Sequence, residues 1–187
     1  MLILVGKSAV GKDTIQKGLI NLGYKPVVSY TTRPPRYNEV DGIAYHFISK
    51  EEFLKKKQEG FFAETTSYNV ANGDTWYYGS AIEDLAKDKV MIVNPEGLKQ
   101  IKKIKTLNPI AFYLMADEET IWNRLRKRGD DIEEARRRLN ADDIDFTGII
   151  EYVDFCLRND LGINPEKLAK FINDLYITTK EIDHVRV

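Results

Sequence analysis

Apolar positions in this 187-residue chain fall into short unbroken runs separated by stretches of helical spacing. Leu2-Ile3-Leu4-Val5 is apolar throughout and stops at Gly6, as expected of a strand buried on both faces. From Thr14 to Ile20 the spacing turns helical, and Gly23 ends it. Val90-Met91-Ile92-Val93 and Ile110-Ala111-Phe112-Tyr113-Leu114 repeat the strand pattern. Ile121 and Leu125 fit one further helix, and Pro165 to Ile177 fits another, with Pro165 suited to a first turn. This alternation predicts an α/β fold in three layers, a parallel sheet flanked by helices.

Two stretches break the alternation. Thr31 to Tyr78 is rich in aromatics, Thr and Gly, with strand-like pieces at Ala44 to Ile48 and Phe61 to Thr66, and reads as a small mixed lobe inserted into the core. Asp117 to Asp145 is the most charge-dense part, with Arg124, Arg126, Lys127, Arg128, Arg136, Arg137 and Arg138 set among acids. No internal repeat or low-complexity linker is visible, and the length suits one domain.

Composition narrows the classes of function. A hydrophobic fraction of 43% supports a real core, and Lys+Arg at 28 against Asp+Glu at 29 leaves a net charge of −1. That balance gives no electrostatic case for a nucleic-acid or membrane partner. The run after Met1 is too short for a signal-peptide core, and no stretch approaches the about 18 apolar residues of a membrane span. A single cysteine, Cys156, excludes an internal disulfide and fits a reducing, cytoplasmic setting; its apolar run suggests a core position. His46 and His184 lack partners with metal-ligand spacing.

Gly6-Lys7-Ser8-Ala9-Val10-Gly11-Lys12 has the spacing G-x-x-x-x-G-K directly after the first strand. Gly6 and Gly11 permit backbone angles that turn successive N–H groups toward one anion, and the following helix adds its positive end. Lys12 can reach the β- and γ-phosphates of a nucleotide such as ATP. The usual next residue is Ser or Thr, whose hydroxyl ligates Mg²⁺; here Asp13 and then Thr14 stand there, and the Asp13 carboxylate is a hard oxygen ligand that could bind the metal. The simpler alternative is a glycine-rich turn with a surface lysine.

Ser29-Tyr30-Thr31-Thr32-Arg33-Pro34-Pro35-Arg36 places two arginines three apart on a proline-stiffened loop, able to converge on one phosphate. This string, Glu39-Val40-Asp41-Gly42 with Tyr45 and Phe47, Tyr78-Gly79-Ser80, the Arg126 to Gly129 segment and Asn159-Asp160 stand in an order that resembles guanylate kinases from about Leu2 to Asp160. The resemblance implies transfer of a phosphoryl group from ATP to GMP with Mg²⁺, on a core of 1-30, 79-116 and 146-187 with an acceptor lobe at 31-78 and a lid at 117-145. It implies that Ser29, Arg33, Arg36, Tyr45 and Tyr78 hold the acceptor phosphate, while Glu64 and Ser80 read the guanine edge. A carboxylate matches guanine's paired N1–H and N2–H donors, and adenine offers no such pair. It further implies that Arg124 and Arg128 contact ATP, that Arg138 reaches the transferring phosphate, and that Asn159 faces the adenine.

The lid stretch also suits a solvated helix with ion pairs between turns. Two family aspartates on the strand before Gly97 are replaced by Ile92 and Asn94, and Asn94 keeps hydrogen-bonding capacity toward the acceptor. With Asp13, this suggests a carboxylate moved to the phosphate loop. Ser67 to Asp74 is longer than the family's turn and lies beside the expected base pocket. The Gly11-Lys12-Asp13 loop and Asn94 at the strand end also resemble ribose 1,5-bisphosphate phosphokinases, so that acceptor, or a different nucleoside or deoxynucleoside monophosphate, is the alternative within the kinase class. A non-catalytic binding module is the alternative from another class, although Gly11, Lys12, Arg128 and Arg138 are all retained. The assembly is expected to be a monomer or a homodimer.

Overall fold

The structure is a computed structural model that describes residues 1–69 and 73–185, with side chains of the last helix followed to Ile182. In chain order the first half comprises β1 (Leu2–Val5), α1 (Lys12–Asn21), β2 (Lys25–Pro26), β3 (Tyr30–Thr31), β4 (His46–Phe47), α2 (Lys50–Gln58), β5 (Phe62–Asn69) and β6 (Thr75–Ala81). The second half comprises β7 (Lys89–Ile92), α3 (Pro95–Lys102), β8 (Ile110–Met115), α4 (Glu118–Arg128), α5 (Ile132–Asp145), β9 (Phe155–Arg158) and α6 (Pro165–Val185).

The unbroken apolar run of β1 follows from its place in the sheet. It lies between β7 and β8 in a five-stranded parallel sheet of order β2-β7-β1-β8-β9. Leu2 and Leu4 face a core shared with Ile15 and Leu19 of α1, Ile121 and Leu125 of α4, and Ile172 of α6. Ile3 and Val5 face the opposite core, with Leu98 and Ile101 of α3 and with Phe146. Alternate side chains thus enter two apolar layers, and no position of β1 tolerates a polar residue. Cys156 departs from its expected core position. β9 is an edge strand whose residues are alternately half-buried and exposed, and Cys156 is on the exposed side.

The inserted lobe is a four-stranded sheet of order β4-β3-β6-β5, floored by α2. Ser49 caps α2 by accepting the Glu52 N–H, and Phe53, its one buried residue, stacks on Phe62 at 4.5 Å. The piece expected at Ala44 to Ile48 reduces to β4, whereas β5 runs on to Asn69, so the Ser67 to Asp74 stretch lengthens the β5–β6 hairpin; residues 70–72 lie outside the described residues. The antiparallel register sets Glu64 opposite Ser80 and Thr66 opposite Tyr78, which puts all four side chains on one face. No described helix is long and apolar enough to cross a membrane.

A buried polar contact joins the base of α4 to the segment after β9. Thr120 is fully buried, and its Oγ1 accepts the Leu161 N–H at 2.9 Å. Thr120→Val keeps the shape and strands that N–H, so urea unfolding is expected to show a loss of about 1–3 kcal/mol.

Candidate active site

The phosphate loop leaves β1 at Gly6 and enters α1 at Lys12. Gly6 is required by close approach and not by an unusual backbone angle: a Cβ there would lie 2.5 Å from Leu114 O and 2.8 Å from Val10 Cγ2. Gly11 does adopt the left-handed region, at φ 95°, and a Cβ would meet Asn159 Nδ2 at 2.6 Å. Ala9 is also left-handed, at φ 59°, a conformation that costs a residue with a Cβ roughly 1–2 kcal/mol.

Side chains satisfy the loop's carbonyls. Lys12 Nζ donates to Gly6 O at 2.6 Å and Lys7 O at 2.9 Å. Arg124 donates to Val10 O at 2.9 Å and to Asn159 O at 2.7 Å, and Asn159 Nδ2 donates to Val10 O at 2.8 Å. One of the loop's amides is already engaged: Ser8 N–H donates to Asp142 Oδ2 of α5 at 2.6 Å. Burial pushes the Lys12 ammonium below its ordinary range, against the opposing pull of Asp142 and Asp13.

Two clefts open on either side of this loop. The first, about 510 Å³, is lined by Ala9, the Gly11 to Thr14 turn, Arg124, Lys127, Arg128, Asn159 and Pro165. Asn159 is 1% exposed, and its Oδ1 is buried without a partner, an acceptor awaiting a donor. Arg128 lines this cleft while its Nε donates to Asp130 Oδ1 at 2.7 Å. Arg138 lies in neither cleft; it donates to Asp130 Oδ2 at 2.6 Å. The Arg128 and then the Arg138 guanidinium hold the Asp130 carboxyl far below the usual carboxylate range.

The second cleft, about 410 Å³, joins Gly6, Ser8 and Lys12 to Ser29, Tyr45, Glu64, Tyr78 and Asn94. Glu64 is buried, and its Oε1 accepts from Ser80 Oγ at 2.8 Å; Ser80 in turn lies 2.9 Å from Ser29 Oγ. Burial pushes the Glu64 carboxyl up to about 7, despite the opposing Ser80 hydrogen bonds. Arg33 sits behind the cleft, 4% exposed, forked onto Glu39 with two bonds of 2.9 Å and set 5.4 Å from the Tyr45 ring centre. Arg36 is exposed and stands outside the lining; its backbone N–H donates to Glu39 Oε2 at 2.7 Å and its carbonyl accepts the Glu39 N–H at 3.1 Å.

Sequence reasoning named Asn94 here and missed Thr66, Tyr68 and Asp142. Asn94 is the N-cap of α3, its Oδ1 accepting the Gly97 N–H at 2.8 Å, and its amide approaches Tyr68 OH at 3.4 Å. Tyr68 and Thr66 line the cleft because they share the Glu64 face of β5, a period-two signal present in the sequence. Asp142 lies one helical turn beyond Arg138 on α5, and it is Asp142 that reaches the loop while Arg138 stays on Asp130.

The guanylate kinase family model matches residues 1–175. A guanylate kinase of Nitratidesulfovibrio vulgaris is 34% identical over 151 residues, which is 75% of this chain and 70% of that protein. A guanylate kinase of Clostridioides difficile is 32% identical over 181 residues, covering 92% of this chain and 86% of its own length. The crystal structure of guanylate kinase from Anaplasma phagocytophilum superposes with a TM-score of 0.65 over 96% of this chain and 85% of that one; at 21% identity it speaks to the fold alone. A G-K loop between two clefts, an occluded carboxylate at the end of one and an orphaned amide oxygen at the end of the other thus stand on a matched fold and a matched sequence: the chain belongs to the guanylate kinase family.

Proposed function

We propose that the chain transfers the γ-phosphoryl group of ATP to GMP, giving ADP and GDP. The observation that carries this reading is that Lys12 lines both clefts, so a donor in one and an acceptor in the other would meet at its ammonium. In phosphoryl transfer the protein mainly positions the reactants and offsets spread negative charge, and a cation at the junction suits that task.

On the donor side, Asn159 would take a hydrogen bond from the adenine amino group, with Arg124 and Arg128 along the nucleotide. Asp13 and Thr14 line the same cleft with hard oxygen atoms, a donor set that fits Mg²⁺ held jointly with ATP phosphates. When bound there, the ion would neutralise charge on the β- and γ-phosphates. On the acceptor side, Tyr45, Tyr78, Arg33 and Arg36 would hold the phosphate, with Ser29 and Asn94 alongside. The Glu39 fork keeps the Arg33 guanidinium oriented before any ligand arrives. Arg36, exposed, and Arg138, on Asp130, would have to swing inward as the lobes close.

Glu64 would accept both edge donors of guanine, which requires its ionised form. In the free enzyme that form is reached only as pH rises through about 7. Protonated, the carboxyl presents one donor and one acceptor, a poor match for two N–H groups.

ADP formation from ATP and Mg²⁺ should be measured with GMP, dGMP, AMP, UMP, TMP and ribose 1,5-bisphosphate. Turnover confined to the two guanine nucleotides is expected; faster turnover of any other acceptor sinks the assignment. For GMP, kcat/KM should climb with pH below about 7 and level off above it. Glu64→Gln should lower GMP kcat/KM roughly a hundredfold.

The same substitution should stabilise the fold. A carboxyl whose pKa is raised to about 7 favours its neutral form when folded, so its contribution is intact below about 4.5 and is lost as pH rises through about 7. Thermal and urea unfolding should therefore find Glu64→Gln near wild type at pH 4.5 and more stable by up to about 3 kcal/mol at pH 8.

A further inference from the structure

The phosphate loop already holds an anion of its own. Asp142 Oδ2 accepts the Ser8 N–H at 2.6 Å, and the neighbouring Asp143 Oδ1 takes the Lys7 ammonium at 2.5 Å. Both carboxylates come from the last turn of α5, so one helix end is pinned to the loop at two adjacent points.

Little else holds that helix. Ala135 is the one buried residue of α5, and beneath its middle lies a cavity of about 530 Å³ lined by Tyr113, Trp122, Leu139 and Asp143. Just past the helix end Phe146 stacks on Tyr113 at 5.6 Å, and before its start Asp130 binds Arg128 and Arg138. The helix therefore bridges a gap, and its seat at the phosphate loop is ionic.

Asp142 also stands on the path of the reaction. It lines the acceptor cleft with Ser8 and Lys12, while the next loop residues, Ala9 and Gly11, line the donor cleft. A phosphate at the junction would need the amide that Asp142 occupies and would repel the carboxylate from the same few ångströms of space.

We infer that Asp142 gates the donor site: its carboxylate takes the place of a phosphate oxygen on the empty loop, and a bound triphosphate must displace it and free the end of α5. The inference rests on reading the loop as the ATP site. An internal competitor of this kind weakens apparent affinity in proportion to the occupancy of the blocked state. Its removal therefore tightens donor binding, and because Asp142 also lines the acceptor cleft it relieves like charge there as well.

The test is calorimetric titration of the Mg²⁺ complex of the non-hydrolysable β,γ-imido analogue of ATP into wild type, Asp142→Ala and Asp142→Asn. Circular dichroism and thermal unfolding would confirm that the variants are folded. Asp142→Ala should bind about tenfold more tightly than wild type, with Asp142→Asn between them, because the amide can still accept from Ser8 but carries no charge. In steady-state assays the KM for ATP should fall by more than the KM for GMP, whose cleft Asp142 also lines. Unchanged or weaker analogue binding by both variants overturns the gate. Absence of binding by wild type itself removes the functional reading and the gate with it.

Discussion

Carbonyl oxygens have to be satisfied on one side of a loop before its amides are available on the other. In this chain the task is divided between Lys12, which takes the oxygens of Gly6 and Lys7, and the Arg124–Asn159 pair, which takes that of Val10. The arrangement draws on three separate segments: the start of α1, the body of α4 and the residues after β9. Each is placed by the apolar layers around β1, so the loop's geometry is a consequence of packing in the parallel sheet. The strained Ala9 is tolerated because its neighbours are fixed from both ends.

The acceptor lobe solves a different problem with the same economy of groups. Arg33 is buried, yet its guanidinium is doubly bound to Glu39 and faced by Tyr45 and Phe47. Its desolvation is therefore met within the protein, by a carboxylate and two ring faces. Glu64 lacks such a cation. Its hydroxyl partner Ser80 does not offset burial, and the carboxyl pKa is raised in consequence.

The parts of the fold legible in the sequence are those where burial writes an unmistakable pattern. β1, β7 and β8 are apolar on both faces, and α1, α4 and α6 carry apolar positions at helical spacing. α2 left no such trace, because a helix with only Phe53 buried is specified by its Ser49 cap and its charged residues. β2, two residues long at the sheet edge, and Cys156 on exposed β9 show that edge strands obey looser rules. Gly11, Lys12 and Glu64, singled out by spacing or resemblance, do line the two clefts. Asp142 was not singled out: one carboxylate in a run of charges looks solvated until the helix is seen lying on the loop.

The bonds at the base of α4 set it apart from the helix that follows it. Asp117 N–H is held by Asp160, Leu161 N–H by Thr120 Oγ1, and Asn159 O by Arg124, so α4 is fastened to the segment after β9 along its inner side. The helix ends at Gly129, in the left-handed region with no neighbour within 4 Å of where a Cβ would be, and only beyond this point does the lightly packed α5 begin. The wall of this cleft that carries Arg124 and Asn159 is thus fastened to the sheet, whereas the helix that carries Arg138 is lightly packed. The two sets of side chains belong to separately held helices, and the turn between them, residues 129–131, opens on a glycine in the left-handed region.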